Sequence, residues 1–431
     1  MKAQNQPRTL SPVSRRRFLA TSATAVAARP GYVAGSDVIR VGVIGCGGRG
    51  EAAAMNAMNA DKGVRITALA DVLVDRAQEK RNALKLKYPQ QVEVPDERCF
   101  GGLDGYKRVI ECADVVIIAN AAKFHPLHME AAIRAGKHVF VEKPHAIDPA
   151  GLKVVRDACR LARQKNLCVV SGLQSRYNTI YQETIKRVHD GAIGDIIAIQ
   201  ETWLRPPYVL YRRRPGMTEV EYQLSNQYHF HWLSGDDVPQ TLIHNLDRAC
   251  WALKDQSPIR AWGMGGRSTL RGEIYGSVFD HHAVCYEFPG EVRVYAYCRT
   301  IPDCYNENSS LLLGAKGRCM VMQGRIVGEN PWQYSGPKVN AYDLEHVALF
   351  KALRSGKPIN SEDYMLRATA TVLMGQFSCY TGKMVSWDDI QKSDFCFTPR
   401  PEDVRLDMEP PVKPDSEGIY PVFVPGVTRL L

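Results

Sequence analysis

Residues 41–50 read VGVIGCGGRG, an apolar run that breaks into glycines. Glycines at 45, 47 and 50 form the pattern GxGxxG, which brings backbone N–H groups against a pyrophosphate with no side chains in the way. Gly45 permits a tight turn, Gly47 allows close approach, and Gly50 lets the next helix press on the strand. The loop of Gly45, Cys46, Gly47, Gly48, Arg49 and Gly50 is therefore a candidate dinucleotide cradle. Asp71 follows 21 residues after Gly50, near the spacing of a carboxylate that grips ribose hydroxyls. A carboxylate there repels a 2′-phosphate, so NAD is the expected cofactor. NADP comes second, because Arg76 lies close by.

A loop of this kind works only between a strand and a helix. Residues 37–44 read as a buried strand and residues 51–59, rich in alanine, as a helix. A second strand over 64–70 ends at Asp71. Residues 113–120 (ADVVIIAN) and 137–141 (KHVFV) continue the series, with helices predicted over 128–135 and 150–164 and Asp148-Pro149 opening the last. Alternating β and α predicts an α/β fold with a doubly wound parallel sheet and a ligand at its C-terminal strand ends. Farther on, 196–204 reads as a strand, and 280–299 alternates on either side of Pro289-Gly290 as a hairpin does.

The totals narrow the class. With 431 residues, two sizeable domains are expected. The formal charge is +9, but Lys2, Arg8, Arg15, Arg16, Arg17 and Arg29 supply six of those charges within residues 1–36. No basic stripe with interleaved aromatics follows, so no nucleic-acid partner is expected. No apolar run reaches the length of a membrane-spanning helix. The twelve cysteines form no CxxC pair and are read as buried thiols, with no metal site predicted.

Ser14-Arg15-Arg16-Arg17-Phe18-Leu19 is a twin-arginine pattern, followed by an alanine-rich stretch and the small residues Ala25-Val26-Ala27. That order is the order of a bacterial export signal. It resembles the signals of the twin-arginine route, which carries folded proteins and so implies a periplasmic or other extracytoplasmic location. The expected organisation is a signal and linker over 1–36, a Rossmann domain over 37–165 and a substrate domain over 166–395. The last 36 residues, 396–431, hold seven prolines and read as an extended tail.

Several motifs together resemble the family of glucose-fructose oxidoreductase, inositol dehydrogenase and MocA proteins. They are VGVIGCGGRG, ALAD, ANAAKFHPLHMEAAIRAGKHVFVEKP, GLQSRY, HNLDRACWAL and EHVALFKALRSGKP. The resemblance implies a Rossmann domain followed by an α/β domain on a large, mostly antiparallel, open-faced sheet. It also implies a homo-oligomer formed through that sheet and a small carbohydrate substrate.

The family's reaction moves hydride between a carbinol carbon and nicotinamide. The hydroxyl proton then needs an acceptor, and the developing alkoxide needs a cation. By resemblance Lys143 of Glu142-Lys143-Pro144 is the cation, and His244 is the acid/base. On the cofactor side the same resemblance places Asn120, His125, Glu142 and Lys143. On the substrate side it places Gln174, Arg176, Gln240 and Asp247, the last either positioning His244 or bonding substrate. Gln240 stands where the family pattern has an aspartate, and glutamine cannot act as a base. With Lys143 charged throughout and His244 near an ordinary imidazole, the oxidation rate is expected to rise through about pH 6.5. His229, His231, His281 and His282 read as polar cleft residues, the His-x-His pair being taken as lying on a strand. The leading expectation is an exported NAD(P)-dependent oxidoreductase of a sugar or glycoside with tightly held cofactor. The alternative is an NAD-dependent glycosidase that oxidises, eliminates, hydrates and reduces. A sensor with a dead cofactor site is a third reading, against which Lys143 and His244 argue.

Overall fold

The computed structural model describes residues 37–272 and 275–431; the twin-arginine pattern lies outside the described residues. The chain opens β1 (Ile39–Ile44), α1 (Gly48–Ala60), β2 (Val64–Ala70), α2 (Val74–Lys87), β3 (Cys99–Phe100), α3 (Gly105–Cys112) and β4 (Val115–Ile118). It continues with α4 (His125–Arg134), β5 (His138–Val141), α5 (Pro149–Gln164) and β6 (Val169–Ser171). The strands form a parallel sheet in the order β3-β2-β1-β4-β5-β6. All four residues of β4 (VVII) are buried, as a strand covered on both faces requires. Asp148 caps α5 by accepting from the Gly151 N–H at 2.8 Å, and Pro149 takes the first turn, where its missing N–H costs nothing. The strand order reverses between β1 and β4, which leaves a crevice at their C-terminal ends.

The second half contains α6 (Thr179–His189), β7 (Ile196–Leu204), α7 (Glu219–Ser225), α8 (His231–Ser234), a π-helical turn at Val238–Leu242 and α9 (Ile243–Ala252). Then come β8 (Arg260–Gly266), β9 (His281–Glu287), β10 (Arg293–Arg299), β11 (Glu307–Gly314), β12 (Gly317–Met320), β13 (Arg325–Gly328) and β14 (Trp332–Gln333). The chain closes with α10 (Ala341–Ser355), α11 (Glu362–Thr381), β15 (Val385–Ser386) and α12 (Trp387–Lys392). These strands make a second sheet in the order β14-β13-β12-β11-β7-β10-β9-β8-β15, antiparallel except where β7 meets β10.

Period-two burial orients this sheet. Val294, Ala296 and Cys298 of β10 face inward, while Tyr295 and Tyr297 face out. Helices α9 and α11 cover the inner face so closely that a Cβ on Gly375 would sit 1.9 Å from the Tyr286 hydroxyl. The other face carries Met264 and Leu313 in the open.

Two features tie the halves together. Helix α10 lies against α1, with Leu349, Phe350 and Leu353 buried in the same core as β1 and β2. Arg354 pairs with Asp61 at 2.6 Å across that contact. Residues 396–431 hold one short 3-10 turn, Pro401–Asp403, and bury Phe397, Val404, Val412 and Tyr420.

Candidate active site

The glycine loop leaves β1 into the crevice. Gly45 has φ +94°, and a Cβ there would lie 2.5 Å from the Asn120 N. A Cβ on Gly50 would lie 1.8 Å from the Gly45 carbonyl. Gly47 and Gly48 have nothing within 4 Å of an added Cβ, so their backbone faces open space. No side chain caps α1, which leaves its first N–H groups for a ligand. The Cys46 N–H donates to Asp71 at 2.9 Å and the Leu73 N–H to the other carboxylate oxygen at 3.1 Å. Burial raises the Asp71 carboxyl above its ordinary range, opposed by Arg76 at 3.8 Å. The Cys46 thiol is buried beneath the loop and donates to the Ala70 carbonyl, so this residue serves through its backbone.

An open glycine backbone, an uncapped helix start and a ribose-side carboxylate in one cleft are what a dinucleotide needs. Asn120 adds a buried side-chain oxygen with no partner. The residues present fit the group.

The cleft continues inward. Arg49, Asn120 and Tyr228 border both its outer part, with the loop and Asp71, and its inner part, with Lys143, Gln240 and His244. Lys143 stands just past β5 and donates to the Gln240 carbonyl at 2.7 Å. Burial lowers its ammonium to about 8, with Glu142 opposing and Arg205 adding to the fall. Glu142 pairs with Arg49 of the glycine loop at 2.7 Å, and Arg49 lies over the Tyr342 ring. His244 starts the second residue of α9, 5.8 Å from the Trp203 ring, with Nδ1 buried and unpartnered. Burial, then Lys143 and Arg248, hold the imidazole well below its usual range.

Both electrostatic expectations from the sequence therefore change. His244 is neutral over the working range, and Lys143 is the group that titrates near it. The reason is common to both: a buried cation loses its hydration, and nearby cations add to the cost, Arg205 for Lys143 and Lys143 for His244.

The structure places four further residues outside the cleft lining. Asp247 does not face His244; Arg176 donates to both of its carboxylate oxygens, at 2.9 and 2.7 Å. Arg176 also reaches Asp255 and lies between the Trp251 and Tyr364 rings, so the pair serves packing. A buried carboxylate goes to the cation that can hold it bidentately. His125 lies between the Asn120 and Pro144 carbonyls, its ring nitrogens 3.0 and 2.8 Å from them, and its one N–H donates to one of the two beneath the turn. Gln174 acts at one remove, donating to the hydroxyl of Tyr342, which does line the inner cleft.

Gln240 lies in the π-helical turn that leads into α9. Its side chain donates to the Ser234 carbonyl, and only its own carbonyl meets Lys143. The histidine pair is not on a strand. His229 ends a 3-10 turn and His231 begins α8, where its ring packs on Phe423 and Phe397. His282 is buried near Asp236, and His281 is half-exposed beside Asp280. No group of three metal-ligating side chains is assembled among the described residues.

Residues that sequence reasoning passed over also line the inner cleft: Trp203, Arg205, Tyr208 and Tyr228. Arg205 pairs with Asp237 at 2.6 Å and lies 3.6 Å over the Tyr208 ring, which stacks on Tyr228. The available signal was the run WLRPPYVLYRRR, which begins at the end of β7 and is dense in aromatic and arginine residues.

Residues 39–173 match the sequence profile of the oxidoreductase family of glucose-fructose oxidoreductase, inositol dehydrogenase and MocA, NAD-binding Rossmann fold. An inositol 2-dehydrogenase/D-chiro-inositol 3-dehydrogenase of Halalkalibacterium halodurans is 26% identical over 219 residues, 51% of this chain and 53% of that protein. A glycosyl hydrolase family 109 protein of Streptomyces coelicolor is 30% identical over 167 residues, 38% of this chain and 33% of that protein. The chain thus spans about half and a third of the length of these two relatives. The structure of scyllo-inositol dehydrogenase from Lactobacillus casei with bound NAD(H) and scyllo-inositol superposes with a TM-score of 0.61 at 17% identity. That likeness covers 81% of this chain and 99% of that one, and shows the shared fold. With its glycine loop, its 3-2-1-4-5-6 sheet and its profile match, the segment 39–173 carries an NAD-binding Rossmann fold similar to that of this oxidoreductase family.

Proposed function

We propose that this protein is an exported NAD-dependent oxidoreductase that moves hydride between a sugar or polyol carbinol carbon and a tightly held nicotinamide. The observation that carries the reading is the shared cleft: Lys143 and His244 line its inner part, and the dinucleotide cradle lines its outer part. The glycine loop, Asp71 and Asn120 hold the dinucleotide, which supplies the hydride acceptor. The Lys143 ammonium keeps one donor on the Gln240 carbonyl and turns the rest toward the substrate oxygen, where alkoxide charge develops. Neutral His244 accepts the hydroxyl proton, and Trp203, Tyr208 and Tyr228 give a ring-shaped substrate apolar walls. The experiment is to denature the purified protein and assay the supernatant for NAD(H), then offer sugars and polyols while following nicotinamide absorbance. An empty supernatant and no turnover would defeat the reading.

A redox-neutral glycosidase is the second reading. The similarity to a glycosyl hydrolase family 109 protein favours it, as does Gln240, which leaves the inner cleft without the family's aspartate. Release of an aglycone with no net NADH would select it.

Export through the twin-arginine route is proposed from residues 14–27, and periplasmic fractionation followed by N-terminal mass determination tests it. Self-association through the open face of the second sheet is proposed from exposed Met264 and Leu313, and sedimentation velocity in an ultracentrifuge reads it through the sedimentation coefficient.

A further inference from the structure

The dinucleotide cleft has a second wall that comes from the other half of the chain. Residues 205–228 leave the end of β7 and return across the Rossmann side. Val209, Tyr211, Leu224, Asn226 and Tyr228 from this segment line the same pocket as the glycine loop and Asp71. Tyr228 also borders the inner cleft, so the segment spans the junction between the two parts.

It is fastened at both ends of that span. At the Asp71 end, the Arg76 guanidinium lies 5.5 Å from the Tyr211 ring centroid and 3.8 Å from Asp71. Arg214 pairs with Asp75 at 3.0 Å beside it. The Asn226 side chain accepts from the Tyr211 N–H at 2.8 Å and donates to the Tyr211 carbonyl at 3.0 Å, which fixes the loop to the end of α7. At the inner end, Tyr208 stacks on Tyr228 at 4.0 Å beneath Arg205.

The C-terminal tail braces the segment from outside. The Leu406 carbonyl accepts from the Thr218 hydroxyl at 2.9 Å, and the Val412 carbonyl from the Gln223 amide at 2.7 Å. The Tyr420 hydroxyl donates to Glu219, and its ring meets Phe230 edge-on at 5.0 Å. A proline-rich tail has little conformational freedom to lose on ordering, which suits it to hold another segment in place.

We propose that residues 205–228, braced by the tail, clasp the bound dinucleotide and set how long it stays, with Tyr211 as the principal fastening on the adenosine side. This rests on the dinucleotide reading of the cleft. The glycine loop alone offers one wall, from which a ligand can leave sideways; with the clasp in place, departure requires the Arg76–Tyr211 and Arg214–Asp75 contacts to part.

The test uses the full chain loaded with NADH, mixed with excess NAD and followed by loss of bound-nicotinamide fluorescence. Tyr211 is half-exposed, so Tyr211→Ala threatens the fold little. Its release rate is expected to rise about tenfold, the equivalent of one lost aromatic contact. Tyr211→Phe keeps the ring and should release slowly, as the unaltered chain does. Tyr420→Phe removes only the brace on Glu219 and should give a smaller rise in the same direction. An unchanged release rate in Tyr211→Ala overturns the clasp. A chain that takes up no NADH overturns the cofactor reading and the clasp with it.

Discussion

The two ends of the cleft are built from different materials. The outer end is mostly backbone: Gly45 at φ +94°, open N–H groups at Gly47 and Gly48, and a helix start with no cap. The inner end is side chains brought from far apart, Lys143 after β5, Trp203 on β7, His244 on α9 and Tyr342 on α10. A backbone site is specified locally and tolerates change at its neighbours. A side-chain site depends on every element that carries a piece of it, and its charges reset one another.

The largest effect that would sharpen this contrast lies just outside the cleft. Asp247→Ala removes the buried partner of Arg176, so the chain should lose about 3 kcal/mol of stability by denaturant titration. Turnover per folded molecule should hold; a fall in kcat with stability intact would return Asp247 to the site. Next comes Lys143→Met, expected to cost about a hundredfold or more in kcat through the loss of alkoxide stabilisation. Retained dinucleotide, assayed after denaturation, should be unchanged. Equal loss of both would erase the distinction between the two ends.

Asp71→Ala tests the outer end. It should weaken NAD binding by about 1.5–3 kcal/mol per lost charged hydrogen bond and narrow the preference over NADP, both read by titration. Equal losses for the two cofactors would confine Asp71 to holding the Cys46 and Leu73 N–H groups. The mildest test is pH. The Lys143 pKa is lowered to about 8, and the charged form is the active one. Oxidation should therefore be level below that value and decline as pH rises through about 8, up to tenfold per unit. In Lys143→Met this decline should vanish. A rate that instead climbs through pH 8 would make neutral Lys143 the proton acceptor.

Legibility followed the same division. The strand–loop–helix of residues 39–60, the carboxylate at Asp71 and the hairpin around Pro289-Gly290 could be read directly, because each follows from local period and glycine placement. The second sheet's wider order could not. It pairs β7 with β10 and β11, which lie about a hundred residues farther along, and nothing local encodes that pairing. The pairing of Asp247 was not legible, because the residues near it in sequence do not include its partner Arg176. The run at 203–214 carried a signal of composition, but its place across the glycine loop was invisible without the fold.

By itself, then, the sequence determined the class of the first half and its ligand: a glycine loop needs no distant partner to expose its N–H groups, and a buried parallel strand announces itself in its apolar run. Only the tertiary structure decided the chemistry of the inner cleft. It set Lys143 against the carbonyl of Gln240, left His244 uncharged among Lys143 and Arg248, and gave Arg176 to Asp247. The reason is electrostatic. A side chain's identity fixes its charge in water, but burial and neighbours drawn from distant segments fix the charge it carries in the protein.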